Sequence, residues 1–118
     1  MAKGKNIVLD KSFHFACEIL DLNDKLIAIK HFQLAKQVIR SGTSIGANIT
    51  EAQRGASKPD FINKLGIALK EADETKYWLR LIDKKLFEID AKMKSEIEEI
   101  ISLLVAIINS SKKQTQTN

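Results

Sequence analysis

His14 stands four residues before Glu18, a spacing that puts an imidazole and a carboxylate on one helix face, where such a pair can begin a metal site. Metal-binding helix bundles repeat this kind of motif with inward Glu and Glu-x-x-His sets. No second pair occurs here and His31 falls in a connection, so His14 is expected at a surface or interface, with no metal and no cofactor. Glu71, Asp73 and Glu74 are close enough in sequence for acid–base work, but Lys64, Lys70 and Lys76 surround them, which predicts a solvated, salt-linked face. Ser41, Ser44 and Ser57 have no histidine at a readable spacing, and no glycine-rich phosphate loop follows a strand. Neither a catalytic residue nor a small-molecule substrate is expected.

The chemistry that remains is basic. Lys76, Arg80 and Lys84 recur every four residues and form one ridge, while Lys36, Arg40 and Arg54 face a single acid, Glu51, in the preceding segment. These six are the candidate nucleic-acid-binding residues. The competing expectation is that Asp73 and Asp83, helix neighbours of Lys76 and Arg80, neutralise the ridge. Aromatic residues make up only 6% of the chain, so contact would be with backbone and shape rather than by base stacking. A formal charge of +4 with 19 basic and 15 acidic residues permits such contact without demanding it.

Helices must position these groups. A single proline in 118 residues, rich in Leu, Ile, Ala, Lys and Glu, is an all-α composition for one domain. The lone Cys17 cannot form an internal disulfide, and no signal peptide or membrane-spanning apolar run is present, so a cytoplasmic location without membrane contact is expected. Residues 1–9 lack periodicity and read as a flexible N-terminus; residues 10–110 read as the bundle and 111–118 as a polar tail. Helix 1 is expected to start at Asp10 or Ser12 and to bury Phe13, Ala16, Cys17 and Leu20, with a poorly marked boundary to helix 2. Helix 2 runs from near Phe32, burying Leu34, Val38, Ile45, Ile49 and Ala52, to Gly55 as a left-handed cap. Ser57, Pro59 and Asp60 then form a helix start. Helix 3 follows, burying Phe61, Leu65, Ala68, Leu69, Ala72, Leu79, Ile82 and Leu86, and Asp90 or Ser95 opens helix 4, whose wide stripe is Met93, Ile97, Ile100, Ile101, Leu104, Ile107 and Ile108. Four such helices with short connections predict an antiparallel up-down-up-down four-helix bundle.

Gly42 and Gly46 each cost a helix about 1 kcal/mol relative to alanine, so they are expected where another backbone comes close. Asn48, a poor helix former, is expected to hydrogen-bond a neighbouring helix or subunit. Trp78 and Leu81 lie off the main stripe of helix 3 and would form an exposed apolar patch in a monomer, which marks them as oligomer-interface candidates.

The run Arg40-Ser-Gly-Thr-Ser-Ile-Gly-Ala-Asn-Ile49 is followed by Glu51-Ala52, Arg54-Gly55, Ser57, Asp60-Phe61, Leu65, Ile67-Ala68 and Glu71-Ala72-x-Glu74-Thr75-x-Tyr77-Trp78-Leu79. This pattern, densest from Arg40 to Leu81 and extending from Phe13 to Leu86, resembles the four-helix-bundle family encoded by intervening sequences in bacterial 23S ribosomal RNA genes. The resemblance implies a homopentamer with no catalytic residues. Its relatives include the accessory protein of diversity-generating retroelements, a basic protein that binds nucleic acid and a reverse transcriptase. RNA or a ribonucleoprotein is the partner this implies, with a purely structural or protein-interaction module as the alternative.

Overall fold

Ser57 adopts an extended backbone and its hydroxyl accepts the Asp60 N–H at 3.3 Å, while Pro59 occupies the first turn that follows. One free N–H is thereby satisfied and a helix begins at the next residue, as the sequence predicts. The computed structural model describes residues 3–117, with side chains over 7–114. It contains four helices: α1 (Lys3–Ala28), α2 (Phe32–Ala52), α3 (Lys58–Lys85) and α4 (Ala91–Thr117). No strand occurs among the described residues, and the protein is all-α. Each helix packs on two neighbours, α2 on α1 and α3, α4 on α3 and α1, while the diagonal pairs make no close backbone approach among the described residues. A four-helix bundle 53 × 23 × 20 Å results.

The buried stripe of α1 is Val8, Phe15, Ile19, Leu22 and Leu26, with Ser12 among them. This corrects the expected face, since Phe13 is 72% and Leu20 50% exposed. Both sets repeat at spacings of three and four, but the buried one runs the length of the helix. Each large apolar side chain buried contributes about 1.5–3 kcal/mol, so the longer stripe wins. Its first member, Val8, also explains why α1 starts at Lys3 and not at Asp10 or Ser12. At the other end α4 continues beyond 110, because Ile108 and Ser111 are buried and Gln114 Oε1 accepts from Lys58 Nζ at 2.7 Å. Residues 1, 2 and 118 of the two expected terminal segments lie outside the described residues.

On α2 the buried positions are Ala35, Val38, Ser41, Gly42, Ile45, Ile49 and Ala52. A Cβ on Gly42 would lie 2.6–2.8 Å from three side-chain atoms of Ile19, and one on Gly46 would lie 3.3 Å from Ser12 Oγ. Only residues without a side chain let α1 and α2 come this close. Gly55 does not make the expected left-handed cap. The helix ends at Ala52, no glycine has positive φ, and the left-handed residue is Lys30 (φ 66°), which ends α1 instead. Asp90 opens α4, its carboxylate accepting the Lys92 N–H at 2.9 Å.

Candidate functional site

The small polar residues of α2 mostly satisfy themselves. Thr43, Ser44 and Thr50 donate to carbonyls one turn back at 2.6–2.7 Å, and Asn48 Nδ2 donates to the Ser44 carbonyl at 2.8 Å. Within the chain Asn48 thus bonds its own helix and not a neighbouring one. What α2 offers its neighbours is a narrow surface, and α3 uses it. Arg40 donates to Glu71 Oε1 at 3.1 Å and, through its other terminal nitrogen, to Glu74, whose Oε2 also accepts from Trp78 Nε1 at 3.1 Å. The Arg40 guanidinium accordingly holds the Glu74 carboxyl below its ordinary range, with the Trp78 indole N–H adding to the effect. Beneath this clasp Thr75 Oγ1 hydrogen-bonds Ser41 Oγ at 2.9 Å and the Glu71 carbonyl at 2.8 Å, with both hydroxyl residues fully buried. Arg40, expected as a phosphate contact, is therefore engaged by two carboxylates.

Trp78 is half-buried against the core, whereas Leu81 and Tyr77 are 38% and 55% exposed. Tyr77 meets the Trp78 ring edge-on at 5.2 Å. The apolar patch of α3 is thus Tyr77 and Leu81, with Trp78 behind it.

The basic ridge of α3 faces α4. Lys76 pairs with Glu98 at 3.0 Å and not with Asp73; Asp83 pairs with Lys94 at 3.0 Å and not with Arg80. The other Asp83 oxygen accepts the Ile89 N–H at 2.8 Å. That N–H, and then Lys94, hold the Asp83 carboxyl below its usual range. Asp83 is thus committed to Ile89 and Lys94, and Asp73 makes no ion pair with Lys76 among the described residues. Arg80 is left in a cleft of about 290 Å³ between these two ion pairs. It is exposed and makes no ion pair with a described residue; the same holds of Lys84, one turn on. Lys36 and Arg54 are likewise exposed and unpaired among the described residues, but they sit near opposite ends of α2. Of the six candidates, then, only Lys76, Arg80 and Lys84 form one continuous ridge.

Sequence reasoning missed a third member of the His14–Glu18 pair. Glu96, from α4, brings Oε2 to 3.5 Å from His14 Nε2, while Glu18 Oε1 lies 3.8 Å from the same nitrogen. One donor atom from each of the three lies within 4.8 Å of the others. Burial first, and then the facing Glu96 carboxyl, push Glu18 up to about 7. Glu18 Oε1 and Glu96 Oε1 are both buried without a hydrogen-bond partner. The helical spacing of His14 and Glu18 was the available signal, whereas the meeting with Glu96 depends on how α1 packs on α4.

Among the described residues no helix is long and apolar enough to cross a membrane. A comparison with curated proteins finds no match. A crystal structure of a protein of unknown function from the S23 ribosomal protein family of Bacteroides thetaiotaomicron is 46% identical, with a TM-score of 0.83 over 90% of this chain and 98% of the other. The sequence profile of the 23S rRNA-intervening sequence proteins matches residues 4–110. With nearly the whole bundle inside that match, the chain belongs to the 23S rRNA-intervening sequence protein family.

Proposed function

We propose that this protein is a non-enzymatic, cytoplasmic homo-oligomer that binds RNA or a ribonucleoprotein through the basic ridge of α3. One observation carries the reading: Arg80 and Lys84 are exposed and lack a carboxylate partner among the described residues, although Asp83 stands between them in sequence. Keeping two cations unpaired beside an acid committed elsewhere suits contact with an external anion such as a phosphate. Family membership is consistent with an RNA context.

The helices are read as an up-down-up-down antiparallel bundle. Supporting this, Arg40 meets Glu74 while Glu51 meets Lys64, and Lys76 meets Glu98 while Asp83 meets Lys94. Assembly into a ring, a homopentamer as the family resemblance implies, draws on two separate apolar patches. One is the exposed stripe Phe13, Leu20 and Ile27 on α1, and the other is Tyr77 and Leu81 on α3. α1 and α3 are diagonal in the bundle, so the patches are two different surfaces on separate helices, as a head-to-tail contact uses. Repetition of the ridge around a ring would add avidity to a weak patch.

The test is the salt dependence of binding to a structured RNA. Affinity falls linearly with salt on logarithmic axes and depends little on base sequence, and Arg80→Glu with Lys84→Glu flattens the slope. Absence of binding by intact oligomer at low salt, or an unchanged slope in the double variant, overturns the RNA reading in favour of a protein-interaction module.

A further inference from the structure

The α1–α4 seam carries a feature that RNA contact does not use. Two carboxylates from different helices face each other, one oxygen of each is buried without a partner, and the basic group paired with either is His14. Lys11, on α1, is committed to Glu99 at 3.2 Å, and Lys92, on α4, whose charge acts on Glu18, makes no ion pair with either carboxylate among the described residues. A buried carboxylate oxygen with no donor loses its hydration without replacement, so the pair needs a proton or a cation between its members.

We infer that His14, Glu18 and Glu96 form a divalent-metal site, suited to Zn²⁺, that clips α1 to α4. The distances fit. In a tetrahedral zinc site with bonds of about 2.0–2.1 Å, neighbouring donor atoms lie roughly 3.3–3.4 Å apart. His14 Nε2 already stands 3.5 Å from Glu96 Oε2 and 3.8 Å from Glu18 Oε1. The Glu18–Glu96 edge is within 4.8 Å, and side-chain rotation would close the triangle. One imidazole and two carboxylates make a mixed nitrogen–oxygen set of the kind Zn²⁺ accepts, whereas Ca²⁺ asks for six or more oxygens and Mg²⁺ for a nearly all-oxygen octahedron. The side chain of His14 is 55% exposed, which gives a cation an entry path, while Glu18 and Glu96 at 24% and 13% form the inner wall. Three protein ligands leave a fourth position for water. Because the ligands come from the two helices at the chain's ends, a bound ion would tie the first helix to the last.

The experiment is calorimetric titration of the full chain, free of any histidine tag, with Zn²⁺, paralleled by visible absorption of the Co²⁺-loaded protein. One Zn²⁺ per chain is expected, with intense Co²⁺ bands typical of four-coordination and a melting temperature that rises with free Zn²⁺. His14→Ala and Glu96→Gln each weaken Zn²⁺ binding roughly tenfold or more. His31→Ala, which changes the chain's other histidine, leaves it unchanged. Glu18→Gln is the second ligand test on the buried side, since it removes a facing charge and is expected to fold. No saturable binding by the wild type, equal binding by His14→Ala, or loss of binding in His31→Ala overturns the site.

Discussion

The seam between α2 and α3 and the seam between α1 and α4 both hold polar groups at a helix–helix contact, and they treat them in opposite ways. In the first, Arg40 joins two carboxylates, Glu74 also accepts the Trp78 N–H, and the buried Thr75 and Ser41 hydroxyls bond each other. Every charge there has an opposite. In the second, Glu18 and Glu96 confront each other with one oxygen apiece unpartnered, and among the described residues only the half-exposed His14 is paired with them. A satisfied polar seam fixes register and responds little to conditions. An unsatisfied one couples the same packing to protons and cations. The densest part of the family-like sequence is therefore spent on holding α2 in place, and the unpartnered carboxylates, Glu18 and Glu96, lie outside that densest stretch.

The comparison breaks most readily at the tightest point of α2. Gly42→Leu must push aside Ile19, whose side chain already lies within 2.8 Å of a Cβ at that position, and is expected to cost about 1–3 kcal/mol by chemical denaturation. Gly46→Ala, which meets the Ser12 hydroxyl at 3.3 Å, stays within about 1 kcal/mol of wild type because the gain in helix propensity offsets the contact. Equal stability of Gly42→Leu and wild type would show that the crossing is loose.

Next in size is the pH response of the α1–α4 seam. Glu18 is raised from 4.5 to about 7, so between these values the folded chain keeps a proton that the unfolded chain has released. Stability therefore falls as pH rises from about 4.5 to about 7 and levels off above that window. Glu18→Gln removes this fall, and the variant gains on wild type above the window when urea midpoints are compared. A wild type whose midpoint rises through the window has the sign wrong. Thr75→Val, in the other seam, leaves the pH profile in place and lowers stability by about 1 kcal/mol through the lost Ser41 bond. A changed pH profile in that variant would mean the seams are not independent. The smallest effect is Arg40→Lys. Its side chain is 47% exposed, so loss of the two-carboxylate geometry costs at most about 1 kcal/mol; a larger loss in a double-mutant cycle with Glu74→Gln would make the clasp a major anchor.

What could be read in one dimension was whatever depends on near neighbours. The Ser57–Asp60 start, Asp90 as one of two candidate openings of α4, and most of the α3 stripe, Leu65, Ala68, Ala72, Leu79 and Ile82, follow from groups within a turn or two of each other. The phase of α1 did not. Two apolar sets with the same spacing share that helix, and which one turns inward depends on where α2 and α4 lie. Left-handed geometry passed from the expected Gly55 to Lys30 because the chain leaving α1 must reach α2 in three residues, Ile29 to His31. Spacing marked Lys76, Arg80 and Lys84 as one ridge, but only the packing of α4 took Glu98 to Lys76 and Lys94 to Asp83, leaving Arg80 and Lys84 without a carboxylate partner among the described residues. The sequence by itself determined the four amphipathic helices, since periodicity and caps are local. Tertiary structure alone decided that Glu96 meets His14 and Glu18, because contacts between distant segments exist only once the helices have packed.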